Sequence, residues 1–366
     1  MTSTIPYEVD FLQVGQSKSG DAIALRFGNL TGARSEQRVV VIDGGYTETG
    51  KALVEHIKTY YQTDRVDLVI SSHPDFDHSA GLEVVLEQCE VGTLWMHQPW
   101  QHTTDIAKAF KDGRITESSF GESLRKSLEN ACRLERLATR LGIPVIEPFT
   151  GLADESSRVL VVGPTSSYYE SLLPGFRCAP EIKSSFGTGI FGQAVRAVQE
   201  VVKSIAEAWN IETLDDTGET SAENNSSTIV MVVLEEECLL FTADAGMPAL
   251  TAAADALDAA GFDYNRIKFS QVPHHGSRRN VGPTILNRLF GPPLASASDL
   301  RSAFVSVAAE GAPKHPSKKV MNAFKRRGVT VHATAGAGKC YRNSLAPLRP
   351  GWFASTPVEF FYEVED

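Results

Sequence analysis

The chain has 366 residues, of which 42% are hydrophobic and 22% are charged, and these fractions exclude a disordered or collagen-like chain. Its 35 Lys and Arg residues against 45 Asp and Glu residues give a net charge of −10, which excludes a surface that is basic throughout, as in whole-surface nucleic-acid binders. The length allows one large domain or two ordinary ones.

The first quarter of the chain alternates strand and helix patterns. Short apolar or alternating runs predict strands at residues 9–15, 22–28, 38–45, 66–73 and 91–97. Amphipathic patterns predict helices at residues 51–61 and 82–89. This alternation favours a layered α/β domain.

The remainder continues the same alternation around a more helical middle region. Long helices are predicted at residues 119–141 and 189–209, and a polar loop is predicted at residues 213–225. Further strands are predicted at residues 158–164, in a hairpin at 227–246, and at 266–272, 303–310 and 329–335, with helices at 249–260 and 320–328. We interpret residues 1–366 as a single domain in which residues 98–155 and 165–222 are helical elaborations.

The sequence indicates a cytoplasmic protein without a membrane partner. It contains no run of about 18 apolar residues and no basic, apolar leader at its N-terminus. The five cysteines are odd in number and widely spaced, which predicts free thiols in a reducing compartment. They are Cys89, Cys132, Cys178, Cys238 and Cys340.

The most specific feature is the segment SHPDFDH at residues 72–78, directly after an apolar strand. Four potential metal ligands fall within six residues of it: His73, Asp75, Asp77 and His78. In α/β folds, loops at the carboxyl ends of strands carry the functional sites. Imidazole and carboxylate groups bind zinc and manganese, so the segment predicts a metal site.

This segment resembles the H-x-H-x-D-H signature of the metallo-β-lactamase superfamily, with Asp75 at the position of the second histidine. The variant H-P-D-x-D-H resembles the hydrolase domain of the competence DNA-uptake channel (ComEC-like) and its stand-alone relatives. Further segments match motifs of this family in the order in which the family has them. They are FLQVGQSKSGDAIAL and VVVIDGG before residues 72–78, and NNSSTIVMVV, LLFTADAG, QVPHHGS and KHPS after them. The resemblance covers residues 5–95 and 155–340 and implies a metal-dependent hydrolase with an αββα four-layer sandwich and helical insertions.

The resemblance also implies a binuclear site for two divalent metal ions, zinc or manganese, that activate a water molecule. The implied metal ligands are His73, Asp75, Asp77, His78, Asp244 and His275. His73 and Asp75 would form one set with a ligand from a later loop, and Asp244 would bridge to the other. An aspartate at position 75 shifts the preference toward manganese without excluding zinc.

Two questions about the ligands stay open. The superfamily's histidine directly before glycine binds metal, which favours His275 and leaves His274 as a catalytic or substrate-facing residue. The histidine of the superfamily's third motif has no counterpart, because residues 224–227 read Asn-Asn-Ser-Ser there. Either the first set lacks a neutral ligand, or Asn225 with a water molecule takes the place of that histidine.

Further residues are assigned to catalysis or to the surroundings of the metal ions. His315 could protonate a leaving oxygen or bind a phosphate, or could simply begin a helix, and Asp77 is also assigned a catalytic role. Asp43 would orient a metal-binding histidine, unless it only forms a turn. The residues expected around the metal ions or the substrate are Asp43, Asn225, Ser227, Arg278, Arg279 and Lys314. His97 and His102 are interpreted as structural histidines.

Charge is unevenly distributed along the chain. Residues 265–342 contain 14 Lys and Arg residues but only Asp299 and Glu310 as acids, a local net charge of +12 in a chain of net charge −10. The asymmetry predicts an anionic partner for this part, such as nucleic acid or another phosphate-containing substrate. The favoured hypothesis is a phosphodiesterase or nuclease acting on DNA. Alternatives are a hydrolase of a small phosphoester, nucleotide or lactone, and a partner-activated effector subunit of a defence or DNA-processing system that docks a protein on its helical insertions.

Overall fold

A computed structural model describes residues 5–104, 116–177, 179, 204–311 and 315–365. Within these residues, the helices lack the combination of length and hydropathy needed to cross a membrane. The four cysteines described are free thiols, as predicted: Cys89, Cys132, Cys238 and Cys340. Cys178 lies outside the described residues.

The first sheet is built mainly from the N-terminal part of the chain. Its strands are β1 (Tyr7–Phe11), β2 (Ala22–Gly28), β3 (Gln37–Gly44), β4 (Arg65–Ser71), β5 (Glu90–Met96), β6 (Val145–Ile146) and β14 (Lys339–Arg342). They are ordered β14-β1-β2-β3-β4-β5-β6. Strands β3 to β6 run parallel, while β14, β1 and β2 pair antiparallel with their neighbours.

The second sheet comes from the C-terminal half. Its strands are β7 (Val159–Gly163), β9 (Ile229–Leu234), β10 (Glu237–Phe241), β11 (Ile267–Gln271), β12 (Arg301–Val305) and β13 (Val329–Ala333). They are ordered β13-β12-β11-β10-β9-β7, and β10 to β13 run parallel. The predicted hairpin is β9 with β10. A separate pair joins β8 (Ser204–Ala206) to β15 (Glu363–Glu365).

Helices cover the outer faces of both sheets. They are α1 (Thr47–His56), α2 (Phe76–Ser79), α3 (Leu82–Gln88), α4 (Glu117–Ser127), α5 (Glu129–Leu141), α6 (Ser166–Leu172), α7 (Ala222–Asn225), α8 (Met247–Ala259), α9 (Pro283–Phe290) and α10 (Lys318–Arg326). Apolar residues of α1 and α3 to α6 pack on the first sheet, and those of α8 to α10 pack on the second. A third apolar cluster fills the space between the sheets. The predicted α/β fold, an αββα sandwich, is confirmed.

Two of the predicted helices differ from the structure. The helix predicted at residues 119–141 is divided at Leu128 into α4 and α5, and α4 begins with a capping box between Thr116 and Ser119. The helix predicted up to residue 209 is wrong for residues 204–206, which form β8 because they pair with β15 at the far end of the chain. Residues 189–203 of that prediction lie outside the described residues.

The parallel strands place their carboxyl ends along one edge of the sandwich. In the first sheet, β3 ends at Gly44 and β4 at Ser71; in the second, β10 ends at Phe241, β11 at Gln271 and β12 at Val305. Because side chains that follow such strands meet at the same edge, the loops after these five strands face one another between the two sheets.

Candidate metal centre

The segment at residues 72–78 forms a tight turn between β4 and α2. Asp75 precedes the helix with φ −68°, and its carbonyl accepts hydrogen bonds from the backbone N–H groups of His78 (3.1 Å) and Ser79 (3.0 Å). This turn buries the imidazoles of His73 and His78 and leaves the carboxylates of Asp75 and Asp77 partly exposed. The turn therefore buries two imidazole rings within the centre. It places the carboxylates of Asp75 and Asp77 at the solvent-exposed side of the centre, which we call the mouth.

Asp43 fixes this turn from the end of β3. Its backbone is left-handed, with φ 57°, a conformation that aspartate tolerates better than most residues. Its Oδ1 accepts from the backbone N–H of Ser72 (2.8 Å), and its Oδ2 accepts from Ser72 Oγ (2.6 Å) and His78 Nδ1 (2.8 Å). Burial disfavours the charged ring, but Asp244 and Asp43 still raise the pKa of His78 well above its usual value.

Asp244 lies at the middle of the centre. Its Oδ2 is 3.8 Å from His73 Nε2 and 3.4 Å from His274 Nε2. Its Oδ1 is 3.5 Å from His78 Nε2 and 4.0 Å from His275 Nε2. Burial raises the pKa of the Asp244 carboxyl, but the surrounding imidazoles outweigh it and hold that pKa well below its usual value. The four rings thus form two pairs, one at each oxygen of a single carboxylate.

Each of these four imidazoles is held through its Nδ1 atom by a neighbouring oxygen. The contacts are His73 with Ser72 Oγ (3.0 Å), His78 with Asp43 Oδ2 (2.8 Å), His274 with Asn280 Oδ1 (2.9 Å) and His275 with the Ser306 carbonyl (3.1 Å). A ring that donates through Nδ1 keeps the lone pair of its Nε2 for another partner, which is how proteins orient histidines toward a metal ion.

The buried Nε2 atoms provide a test of whether a metal ion would fit. Those of His73, His78 and His275, together with Asp244 Oδ1, have no hydrogen-bond partner among the described residues. Buried polar atoms are seldom left in that state. These imidazole nitrogens and carboxylate oxygens face one another, and no hydrogen-bond donor lies between them. Nitrogen and oxygen atoms of this kind are ligands for divalent transition metals. The residues therefore fit a metal centre.

The two aspartates at the mouth lie on different sides of the centre. Asp75 Oδ2 is 3.9 Å from His73 Nε2, and Asp77 Oδ2 is 3.9 Å from His275 Nε2. Each pair of imidazoles therefore has one carboxylate beside it, in addition to the shared Asp244. These neighbours are those predicted from the sequence, and their role as metal ligands stays a prediction.

Arg177 is a member of the site that the sequence did not indicate. Its guanidinium forms ion pairs with Asp75 and with Glu223, whose Oε1 lies 3.0 Å from Arg177 Nε. The Arg177 side chain is 55% exposed, so it contacts solvent at the mouth as well as Asp75. The residue lies about a hundred positions from its partner in sequence, and no local pattern marks it.

Asp21 was also missed. Its buried Oδ2 accepts from Gln271 Nε2 (2.9 Å) and lies 3.8 Å from His78 Nδ1, and its backbone N–H donates to the Asp77 carbonyl (3.3 Å). Ligand atoms of Asp21, His78, Asp244 and His275 lie within 4.8 Å of one another. Burial, and next to it the nearby carboxylates, raise the pKa of Asp21 well above its usual value. The available signal was a charged residue placed directly before a buried strand.

His315 lies beside the centre. Its ring stacks on that of His274, with the centroids 5.9 Å apart and the planes 23° apart. Arg278 and Arg279 are exposed and directly follow the HHGS segment. Lys314, which was expected to contact substrate, lies outside the described residues.

Two asparagines of α7 lie near the centre, and the role of Asn225 with a water molecule stays a prediction. The Asn225 amide donates to the Ser221 carbonyl (3.1 Å), and its buried Oδ1 has no hydrogen-bond partner among the described residues. The amide in contact with the centre belongs to Asn224, whose Nδ2 is 3.2 Å from His274 Nδ1. Ser227 is buried behind it in the following turn.

His97 and His102 belong to an aromatic cluster. His97 stacks on Tyr169 with a centroid distance of 4.4 Å, and its Nε2 is 3.2 Å from Thr228 Oγ1. His102 forms hydrogen bonds with Glu147 and Glu170. Their contacts agree with the structural roles expected for them.

Comparison with known proteins supports the superfamily and nothing narrower. Residues 25–203 match the sequence model of the Metallo-beta-lactamase superfamily. No curated protein sequence matches the chain.

The solved structures that match the chain share little sequence with it. A Thermotoga maritima protein provisionally assigned as a metallo-beta-lactamase has 11% identity and a TM-score of 0.33, covering 65% of this chain and 79% of its own. A mutant of CmlA beta-hydroxylase has 12% identity and a TM-score of 0.41, covering 94% of this chain and 55% of its own. The subclass B3 enzyme MEM-A1 from a soil metagenome library has 13% identity and a TM-score of 0.26, covering 71% of this chain and 77% of its own. Residues 25–203 are thus similar to the Metallo-beta-lactamase superfamily, most of whose members are metal-dependent hydrolases, and the αββα sandwich is consistent with the fold of that superfamily.

Proposed function

We propose that this protein is a divalent-metal-dependent phosphodiesterase that cleaves nucleic acid, with DNA as the favoured substrate. The observation that carries the proposal is the arrangement around Asp244, where four imidazoles present Nε2 atoms to the two oxygens of one carboxylate. Such a mixed nitrogen and oxygen donor set suits both zinc and manganese.

The proposed ligands form two sets. Asp77, His78 and His275 belong to one set, His73 and Asp75 belong to the other, and Asp244 is shared between them. When bound, two divalent ions at such a centre supply a water molecule of lowered pKa and neutralise charge on phosphoryl oxygens.

The chain's own groups position the ligands and handle protons. Asp43 holds Nδ1 of His78 and, through Ser72, fixes the orientation of His73. The half-buried ring of His315, stacked on His274, lies beside the proposed ligands, where the protonated imidazole can transfer its proton to the leaving oxygen of a substrate and become neutral.

The mouth of the centre carries groups that suit a nucleotide chain. Phe76 lies between Asp75 and Asp77, is 51% exposed, and packs against Tyr46 with a centroid distance of 5.8 Å. Arg177 is exposed on the Asp75 side. Single-stranded nucleic acid is bound by such a combination, with bases stacked on aromatic rings and phosphates near guanidinium groups.

The test is cleavage of single-stranded and double-stranded DNA by metal-stripped protein to which manganese or zinc is returned. We expect cleavage that depends on metal and is lost in Asp77→Ala and His78→Ala. The matched control is Asp255→Ala, which removes an exposed aspartate of α8 that pairs with Arg288. Circular dichroism verifies that each variant is folded. Full activity in both site variants, or metal-loaded protein that cuts neither DNA, would overturn the proposal.

A small substrate is the second candidate. Arg177 pairs with both Asp75 and Glu223, so its charge is partly neutralised within the protein and is less available to the phosphates of a polymer. This pairing favours a small phosphoester, a nucleotide or a lactone over a polymer. Parallel assays with a small phosphodiester and with a lactone distinguish this candidate from the first, since a polymer-specific enzyme would turn over neither efficiently.

A further inference from the structure

We propose that His274 is the metal ligand that replaces the histidine missing from the third motif, and that it completes the set containing His73 and Asp75. Two consecutive residues, His274 and His275, would then each serve one of the two sets. The inference rests on the metal centre of the proposed function and deepens it.

The distances place His274 on the side of the centre that needs a ligand. Its Nε2 lies 3.4 Å from Asp244 Oδ2, the oxygen that also faces His73 Nε2 at 3.8 Å. His275 faces the other oxygen, Oδ1, at 4.0 Å. Without His274, one side would have a single imidazole and the other would have two.

The backbone of the HHGS segment explains how neighbouring residues reach both sides of one carboxylate. His274 and His275 are both left-handed, with φ 46° and 54°, a region that residues other than glycine, asparagine and aspartate seldom adopt. The His274 N–H donates to the Ala243 carbonyl (3.0 Å), which joins this turn to the loop carrying Asp244. Consecutive strained residues persist where the surroundings hold them, and they concentrate at functional sites.

Asn280 sets the orientation of the His274 ring. Its Nδ2 donates to the backbone carbonyl of Asp244 (2.7 Å), so its Oδ1 is the atom that faces His274 Nδ1 at 2.9 Å. The ring therefore carries its proton on Nδ1 and keeps the lone pair of Nε2 on the side of Asp244. The Asn224 amide lies farther from Nδ1, at 3.2 Å, and donates its hydrogen bond to Thr220 Oγ1 at 2.8 Å.

The substitution in the third motif agrees with this assignment. The sequence has Asn224 in the segment where the superfamily's histidine is expected, and the structure places its amide against the His274 ring. The residue that would have been a ligand is thus a neighbour of the ring that replaces it. The His274 side chain is 27% exposed, so part of the ring contacts solvent while its Nε2 faces Asp244.

The test counts metal ions and needs no substrate. Wild-type protein, His274→Ala and the control His102→Gln are loaded with manganese or cobalt(II), dialysed and measured by elemental analysis. We expect two equivalents in the wild type and in His102→Gln, and the loss of about one equivalent in His274→Ala. Two equivalents in a folded His274→Ala protein, with an unchanged cobalt(II) absorption spectrum, would overturn the assignment.

A substitution that offers a different ligand tests direct contact. In His274→Cys, a thiolate would take the place of the ring, so we expect both equivalents to be retained and a sulfur-to-cobalt charge-transfer band to appear in the near ultraviolet. Retention without that band would overturn direct ligation. Because neither measurement uses substrate, a protein that binds two metal ions but cleaves no phosphodiester would refute the proposed function and leave this assignment standing.

Discussion

Asp43 acts on the centre through the proposed ligands that it orients. Its Oδ2 accepts hydrogen bonds from His78 Nδ1 and from Ser72 Oγ, which in turn contacts the ring of His73. An asparagine at this position would remove the negative charge beside His78 and would replace one of the two acceptor oxygens by an N–H donor. Both changes would weaken the preference of His78 for a free Nε2 lone pair.

The first prediction follows from that contact. We expect Asp43→Asn to weaken metal binding by about 10- to 100-fold, the usual effect of removing a group that orients a ligand. Competition with a chelator of known affinity measures it. The control is Asp67→Asn, which alters a buried carboxylate that pairs with Arg34 instead. Equal metal affinity in wild-type and Asp43→Asn protein would contradict the prediction.

His97 gives a prediction about pH. Burial, with a smaller contribution from His102, lowers its pKa to about 3. Since an unfolded histidine has a pKa of about 6.5, the unfolded chain takes up a proton below that pH while the folded protein does not. The stability from neutral His97 is fully present above pH 6.5 and decreases by about 1.4 kcal/mol per pH unit below it.

The measurement is the free energy of unfolding in urea between pH 6.5 and 5. We expect the slope against pH to be about one proton smaller in His97→Phe, which keeps an aromatic ring against Tyr169. His102 does not interfere in this window, because the hydrogen bond that it donates to Glu147 raises its pKa, so that its difference in protonation between the folded and unfolded chain falls above pH 6.5. Identical slopes in the two proteins would exclude the assignment to His97.

At the scale of elements, the turn at residues 72–78 depends on the close approach of α1 and α3. A side chain added at Gly81 would lie 2.0 Å from the Gly44 carbonyl oxygen, and one added at Gly50 would lie 2.2 Å from the Gly81 carbonyl oxygen. Gly44 directly follows Asp43, and Gly81 follows α2. Backbone atoms therefore pack directly beneath the proposed ligands.

From this packing we expect Gly81→Ala to destabilise the protein by about 1–3 kcal/mol, the usual cost of overpacking, and to weaken metal binding as well. Gly121→Ala is the control, because a side chain on α4 would meet its nearest neighbour at an ordinary 3.4 Å. Chemical denaturation and metal titration of both variants give the answer. If Gly81→Ala were as stable as Gly121→Ala, then α1 and α3 could move apart without lowering the free energy of unfolding, which would contradict the prediction.

The same element explains what the sequence could and could not predict. The turn at residues 72–78 was predictable because its ligands are adjacent in sequence and follow a buried strand. Arg177 and Asp21 were not, since their contacts with Asp75 and His78 join distant parts of the chain. Strand β8 was missed for a similar reason, because its partner β15 lies about 160 residues later.

At the scale of the whole molecule, the proposed centre joins the two sheets. His73 and His78 follow a strand of the first sheet, while Asp244, His274 and His275 follow strands of the second. A ligand that binds the folded state alone stabilises it by about 2.7 kcal/mol at a concentration a hundred times its Kd. Because both sheets supply ligands, unfolding of either sheet would break the metal centre. Bound metal would therefore stabilise the sandwich as a unit.

We therefore expect removal of metal by a chelator to lower the free energy of unfolding by about that amount, and return of manganese or zinc to restore it. Denaturation curves at fixed metal concentrations measure the effect. Asp244→Ala should be insensitive to added metal. Equal stability with and without metal in the wild-type protein would mean that the centre does not bind the ions or that they bind the unfolded chain equally well.

The charge of residues 265–342 is less available to a substrate than its value of +12 indicates. Arg326 pairs with Glu207 and Arg327 with Glu212, and both arginines are buried. Arg288 pairs with Asp255 and Asp258 on α8. The acidic partners of these side chains lie elsewhere in the chain, so the folded protein neutralises part of the asymmetry internally. Among the described residues, Arg278 and Arg279 are exposed directly after the HHGS segment, and Arg177, which pairs with Asp75 and Glu223, is exposed at the mouth.

This small number sets the expected salt dependence of DNA cleavage. Each neutralised phosphate contributes about −0.9 to the slope of log affinity against log salt, so three arginines predict a slope of about −3. Measured kcat/KM on DNA between 50 and 200 mM salt, all at one metal concentration, should follow it. The double variant Arg278→Ser with Arg279→Ser should reduce the slope by about two, because two of the three contacts are removed. A flat dependence in the wild type would favour the small-substrate candidate, whereas a slope several times steeper would require basic contacts beyond these three.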